Sequence, residues 1–497
     1  LSPYSSGAHW PRLLLWGLLA LWFALIVGIK LDLYGHRVAV GDVFLHANAI
    51  LNTHLPDQIL FTATYQTERG ITSLLQDHVE PTSLLLVPLY RIFDTPLFLI
   101  LIQSLGAVGL VAGLIVVGRH FGAPRGLALA VAVLALYNPL FLKAVIDGPG
   151  GYRHDAQFLW YLPGFLACFL LRRPWAMMAF LLLFLGIKQS AAFYGIAFGL
   201  MVAARGLPFG SYRRLAAVTA VVSILYFALS VFVIPEMIGS PNTYVNYGST
   251  FLNNGIFRNT IGGFFDEKWH NLYEYFYLSA LQPPFFLAGL IDVSVYSLMQ
   301  RPATLYYNFN VVTFFAFGAL LSLMPGTATA PLPPVMPRWQ RWQQRLRVLF
   351  MVQTGLAVPT GLWEMHHVWT SSLAASVTVP QRDAEAAWSL VDPQCGVAPA
   401  DALLDRFHHL PFWLQPQWAD RARYVVAIDA GALSEEARRR DSLHRFVAEN
   451  RSHLKLLGRS GAVSVWLDPA VACRAWESRS FADRRATQDV GWDVLPR

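Results

Sequence analysis

Repeated apolar runs of about 18–22 residues leave this chain few folds to adopt, because that length makes a helix able to cross a hydrocarbon core roughly 30 Å thick. None of the runs alternates apolar and polar residues as a barrel strand does, so the spans are predicted to be helices that satisfy their own backbone hydrogen bonds. Composition agrees, since 55% of the 497 residues are hydrophobic and 14% are charged. An ordinary soluble domain has an apolar share of about 45–50% even with glycine counted. Candidate spans lie at residues 11–29, 96–117, 126–145, 157–171, 175–188, 190–204, 215–234, 308–325 and 348–365. With the region 268–300, the expectation is an α-helical polytopic membrane protein of about 9–11 transmembrane helices. Residues 11–29 lack a following small-residue cleavage site, so they are read as a retained first helix and not as a signal peptide.

Short basic connections fix the sides of the membrane. Arg119, His120 and Arg125, then Arg172 and Arg173, then Arg205, Arg213 and Arg214, and finally Arg338, Arg341, Arg345 and Arg347 all lie between spans. Placing these inside puts residues 30–95, 146–156 and 235–270 outside. An even number of crossings is then needed between 235 and 307, and Pro283-Pro284 is expected to mark the bottom of a hairpin or re-entrant loop. The last span delivers residues 366–497 to the outer face. The expected organisation is a transmembrane domain, 1–365, with an outer loop at 30–95, and a periplasmic α/β domain, 366–497. The net charge is +7, yet residues 366–497 carry sixteen Lys/Arg against sixteen Asp/Glu. The basic excess therefore belongs to the membrane part, which argues against nucleic acid as a partner.

Within the tail, Tyr424 to Asp429 reads as a buried strand, Ser434 to Glu449 as a charged helix, and Leu454 to Leu467 as a hairpin around Ser460-Gly461. Of three cysteines, Cys168 lies in an apolar run and is read as core packing. Cys395 and Cys473 lie in the tail and can pair if that region is extracytoplasmic, although spacing alone does not give their distance.

Candidate chemistry concentrates in the polar stretches assigned to the outer face. A helix starting near Asp42 places Asp42, His46 and Ala49 along one face, with Asn48 and Asn52 along the next. A carboxylate and an imidazole one turn apart can share a proton or hold a divalent cation, Mg or Mn. The competing explanation is an N-cap aspartate in a solvated loop. His78 and Glu80 precede Pro81 and form a second cluster, explicable also as interfacial decoration. Asp147 to Asp155 carries three glycines together with Arg153 and His154, which can grip a phosphate; a plain glycine-rich turn is the alternative. Lys188, between two apolar runs, either snorkels to the headgroups or neutralises a lipid phosphate. Tyr306 and Tyr307 sit at an outer boundary, where an aromatic belt accounts for them. No nucleophile elbow, Walker loop, HExxH or CxxC is present, so hydrolase, ATPase and zinc-site motifs lend no support.

Taken in order, these segments resemble a bacterial family of predicted multi-pass membrane proteins of unknown function. That family looks allied in fold to the lipid-phosphate-sugar-dependent glycosyltransferases of the C superfamily. The matching pieces are Asp42 to Asn52, His78-Val79-Glu80-Pro81 with Pro88-Leu89-Tyr90, Leu101-Ile102-Gln103, Asn138-Pro139-Leu140, Arg153-His154-Asp155, Lys188-Gln189, Tyr306-Tyr307, and Ala419-Asp420 with Tyr424 to Asp429. In the C superfamily an aspartate in the first outer loop acts as general base or supports a metal, and the resemblance carries that role to Asp42. Two departures stand out. The family usually shows a second acidic residue a turn after the first, where this chain has His46 and Ala47, and Lys-Glu where it has Lys188-Gln189.

The resemblance implies an inner-membrane glycosyltransferase that takes a sugar from a polyprenyl-phosphate donor to an extracytoplasmic acceptor. Asp42 would be catalytic, and His46, His78, Glu80, Arg153, His154, Lys188 and Tyr307 would bind substrate. The missing acidic residues motivate an alternative, a non-catalytic membrane scaffold or accessory subunit that binds a protein partner through its tail. A transporter fits less well, because the polar residues gather at one surface and not near the midplane.

Overall fold

The computed structural model describes residues 10–36, 42–54, 59–62, 73–146, 151–205, 211–238, 277–298, 308–324, 337–374, 377, 379–393, 395–407, 409–410, 413–433 and 442–473. Its larger part is a bundle of apolar helices. In chain order they are α1 (Trp10–Gly35), α2 (Asp42–Leu51), α3 (Leu86–Phe93), α4 (Pro96–His120), α5 (Arg125–Leu136), α6 (Pro139–Ile146), α7 (Phe158–Leu170), α8 (Pro174–Leu185), α9 (Ala191–Arg205), α10 (Ser211–Ala228), α11 (Pro283–Leu298), α12 (Asn308–Leu323) and α13 (Pro337–Leu373). Four described stretches are long and apolar enough to cross a membrane: α1, α4, α10 with its extension to Ile238, and α13. The bent pair α5 and α6 makes a fifth, and shorter apolar helices fill the bundle.

That bend revises the single span expected at 126–145. The two halves meet at 62°. Asn138 and Pro139 explain it: the Asn138 side-chain oxygen accepts from the backbone N–H of Leu140 at 3.0 Å and of Phe141 at 3.3 Å. A proline at the first position of a new helix loses no intrahelical donor. Pro283 and Pro284 likewise open a helix, α11, after the 3-10 turn Tyr277–Leu281. The other limb of the expected hairpin lies outside the described residues.

Close helix contact is set by small residues. On α4, a Cβ added at Gly106 would lie 2.9 Å from Leu159 Cβ, and one at Gly113 would lie 3.2 Å from Pro163 Cβ and 3.0 Å from Phe317 Cζ. Glycine thus lets α4 approach α7 and α12 nearly backbone to side chain, which is how helices associate where solvent supplies no hydrophobic drive. Polar tips then pin the helices. Trp22 Nε1 donates to the Leu136 carbonyl and the Tyr137 hydroxyl to the Leu18 carbonyl, each at 2.8 Å, which joins α1 to α5. Lys143 on α6 pairs with the buried Glu364 on α13 at 3.1 Å.

The tail folds on a four-stranded sheet of β1 (Val397–Pro399), β2 (Tyr424–Ile428), β3 (Lys455–Ser460) and β4 (Val463–Leu467), in the order β1-β2-β4-β3. Strands β1 and β2 are parallel, and the other pairs are antiparallel. The expected strand and hairpin are both present, and Gly461 makes the turn with a φ of 51°. The expected helix at 434–449 is described only as α15 (Leu443–Glu449), its first half lying outside the described residues. Strand β1 and the helix α14 (Gln381–Trp388) went unread, because each is too short for its periodicity to show. Cys395 and Cys473 form a disulfide, and Cys168 is free and partly buried. The tail also reaches the bundle: Asn48 Nδ2 on α2 donates to the Leu410 carbonyl at 2.8 Å, and Leu404 and Trp413 join the apolar core of the membrane helices.

Candidate functional site

Helix α2 lies nearly inside the protein, since eight of its ten residues, Val43 to Ile50, are buried. Asp42 at its first turn keeps 29% of its side chain exposed and forms an ion pair with Arg153, itself 26% exposed. One turn later, His46 Nδ1 lies 2.8 Å from the Asp42 carbonyl oxygen. A carbonyl can only accept, so Nδ1 carries the proton and Nε2 keeps its lone pair in the neutral ring. Burial holds the His46 pKa below the ordinary imidazole value despite the Asp42 interactions that oppose it.

The segment after α6 supplies the centre of the site. Gln103 on α4 donates through Nε2 to the carbonyls of Ala144 and Val145 at 3.2 and 3.0 Å and accepts from the Arg153 N–H at 3.1 Å. Lys30 at the end of α1 donates to the Gly151 carbonyl at 3.0 Å. Together these hold Arg153 and the 3-10 turn His154–Gln157 against α2. His154 is 8% exposed, its ring centroid 5.5 Å from that of His46 and 5.3 Å from that of His78. Burial depresses its pKa well below the ordinary value, and the neighbouring Asp155 opposes that shift only in part.

Glu80 is 1% exposed and its Oε2 accepts from the Ser83 hydroxyl at 2.7 Å. Its loop is tied to the end of α8, because both the N–H and the hydroxyl of Thr82 donate to the Gly186 carbonyl, at 3.1 and 2.9 Å. Two residues beyond Gly186, the Lys188 ammonium donates to Asp155 Oδ1 at 3.0 Å, with both side chains 4% exposed or less. Burial pushes the Asp155 carboxyl up, but its neighbours, Lys188 foremost, together outweigh that and hold the pKa at about 2. A buried lysine with a fixed carboxylate partner is not a snorkelling one.

Seven of the eight expected site residues therefore gather in one place: Asp42, His46, His78, Glu80, Arg153, His154 and Lys188. Tyr307 lies outside the described residues. Two residues were overlooked as members. Asp155 stood in the Arg153-His154-Asp155 motif, and a lysine between apolar runs demands such a partner; Gln103 stood in another quoted motif, and a buried amide on a span demands backbone partners. Chemically, the partly exposed Asp42 and Arg153 can meet a ligand, whereas Lys188, Asp155 and Gln103 are occupied in holding the loop.

A family model described as Predicted membrane protein (DUF2079) matches residues 57–344, more than half of the chain. Among solved structures, the chain resembles the crystal structure of ArnT from Cupriavidus metallidurans bound to undecaprenyl phosphate, with a TM-score of 0.50 and 13% sequence identity over 91% of this chain and 98% of that one. At that identity the likeness is one of fold, and it agrees with the glycosyltransferase C-like architecture expected from the sequence. No curated protein matches the chain in sequence.

Proposed function

The chain belongs to this family of membrane proteins, and on that premise we propose that it is a membrane glycosyltransferase acting on a polyprenyl-phosphate sugar. One observation carries the reading: a carboxylate and a guanidinium, Asp42 and Arg153, face each other at the accessible edge of an otherwise buried polar cluster. Asp42 takes the proton of the acceptor hydroxyl as its oxygen bonds to the anomeric carbon. The bond from that carbon to the phosphate oxygen breaks, and the lipid phosphate leaves with the electron pair. Arg153 releases part of its contact with Asp42 to the phosphate, matching charge where it develops. Lys188 acts through Asp155, keeping His154 and Arg153 in place, and does not itself touch the phosphate. The ArnT structure holds undecaprenyl phosphate, which supports a lipid phosphate as the partner of this fold.

A second observation supports the membrane side. Disulfides persist in oxidising compartments, so the Cys395–Cys473 bond favours a tail outside the cytoplasm and a site opening on the outer face of a bacterial inner membrane. The direct test is Asp42→Asn in a transfer assay with the purified chain and a polyprenyl-phosphate sugar. Loss of a positioned base predicts a fall of about 10²–10⁴-fold in turnover. Wild-type turnover in the variant would remove Asp42 from the mechanism.

A further inference from the structure

We propose that His46, Glu80 and His154 form a binding site for a transition-metal cation, with Zn2+ as the best fit. One ligand-capable atom from each of the three lies within 4.8 Å of those from the other two. All three residues are buried, at 7%, 1% and 8% exposure. The Nε2 atoms of His46 and His154 are buried and make no hydrogen bond among the described residues; that of His154 stands 3.5 Å from Asp155 Oδ2, whereas that of His46 faces no such group. A buried lone pair without a donor is costly in an apolar interior, and it needs an explanation. A cation supplies one for both rings at once.

The surroundings are those of a metal ligand set. The His46 Nδ1–H is committed to the Asp42 carbonyl at 2.8 Å, which fixes the ring and the tautomer that leaves Nε2 free to bind. The Ser83 hydroxyl, 2.7 Å from Glu80 Oε2, orients the carboxylate. Such outer contacts are the rule around ligating histidines and carboxylates. In a tetrahedral zinc site with bonds of about 2.0–2.1 Å, neighbouring ligand atoms are roughly 3.3 Å apart.

The donor set also decides which cation. Mg2+ demands near-octahedral oxygen coordination and keeps its waters, whereas two imidazoles and one carboxylate suit Zn2+ and its neighbours in the transition series. The residues thus favour Zn2+ over the Mg or Mn expected at Asp42 and His46, and the histidine that stands where the family usually has an acidic residue one turn after Asp42 becomes a ligand. Three protein ligands leave a coordination position open. A phosphate oxygen of a lipid donor would suit that position, a point that rests on the transferase reading; occupancy by the metal does not.

The test uses the full chain in detergent, stripped with a chelator and titrated with Zn2+ or Co2+ alone, with no lipid or acceptor present. The expected result is one equivalent of tightly held metal per chain, visible as Co2+ bands in the visible spectrum that Zn2+ abolishes and millimolar Mg2+ does not. His46→Gln and His154→Gln should each weaken binding by about 10-fold or more, and Glu80→Gln should do so with its melting temperature close to wild type. If a variant fails to fold, the wild-type chain still decides, since Zn2+ but not Mg2+ should raise its melting temperature. No retained metal, Mg2+ competing as well as Zn2+, or binding unchanged in the histidine variants would overturn the proposal, whatever the transfer assay shows.

Discussion

The Lys188–Asp155 pair shows how a membrane protein keeps charge in its interior. Neither side chain is more than 4% exposed, and each is stabilised by the other at 3.0 Å. Removing one partner strands a buried charge at a cost of about 3–5 kcal/mol, whereas removing both is close to neutral. Lys188→Met and Asp155→Asn should therefore each lower the unfolding temperature in detergent, and the double variant should recover most of the loss. Equal, additive losses would mean that the two groups do not act as a pair. At this scale the sequence was informative about identity and less so about partnership. Polar residues among apolar runs stood out, since the membrane tolerates few of them. That Arg153 faces Asp42, or that Lys188 is held by Asp155, depends on loops that bring together positions more than thirty residues apart, and no local pattern records such a meeting.

Among the elements, apolar length located the helices well but not their interruptions. Helices α5 and α6 read as one run because hydrophobicity continues through residues 138 and 139, while the cap-and-proline chemistry of Asn138-Pro139 that breaks the run is local and was available as a signal. Short elements such as β1 and α14 left too few residues for a period to emerge. The α4–α7 interface offers a quantitative check. A Cβ at Gly106 would sit 2.9 Å from Leu159 Cβ, so Gly106→Leu must push the helices apart. The expected cost is about 1–3 kcal/mol of overpacking. It should appear as a lower unfolding temperature, and a matching shift from Leu159→Ala in the same background should recover part of it.

For the whole molecule, the bundle and the tail are joined at the site-bearing helix. Asn48 on α2 donates to Leu410, and Trp413 sits 1% exposed in the core of the membrane helices. Asp42 and His46 therefore stand on an element braced from both sides. The basic loops predict an orientation for the assembly, and the Cys395–Cys473 bond makes that orientation testable. In intact cells, alkylation of free thiols before and after reduction should find both cysteines blocked until reductant is added. Free thiols in the native chain would place the tail on the reducing side and reverse the proposed orientation. If the bond is present, Cys395→Ser should loosen the tail by roughly 2–4 kcal/mol, read as faster proteolysis of residues 395–473.

The central claim is that Asp42 and Arg153 mark the place where a lipid-linked sugar reacts, and a cryo-EM map of the full chain with a bound polyprenyl-phosphate sugar tests it most directly. The account predicts phosphate density against the Arg153 guanidinium, with the anomeric carbon within reach of an oxygen held by Asp42. Phosphate density bound elsewhere in the bundle, with the Asp42–Arg153 pair undisturbed, would contradict it.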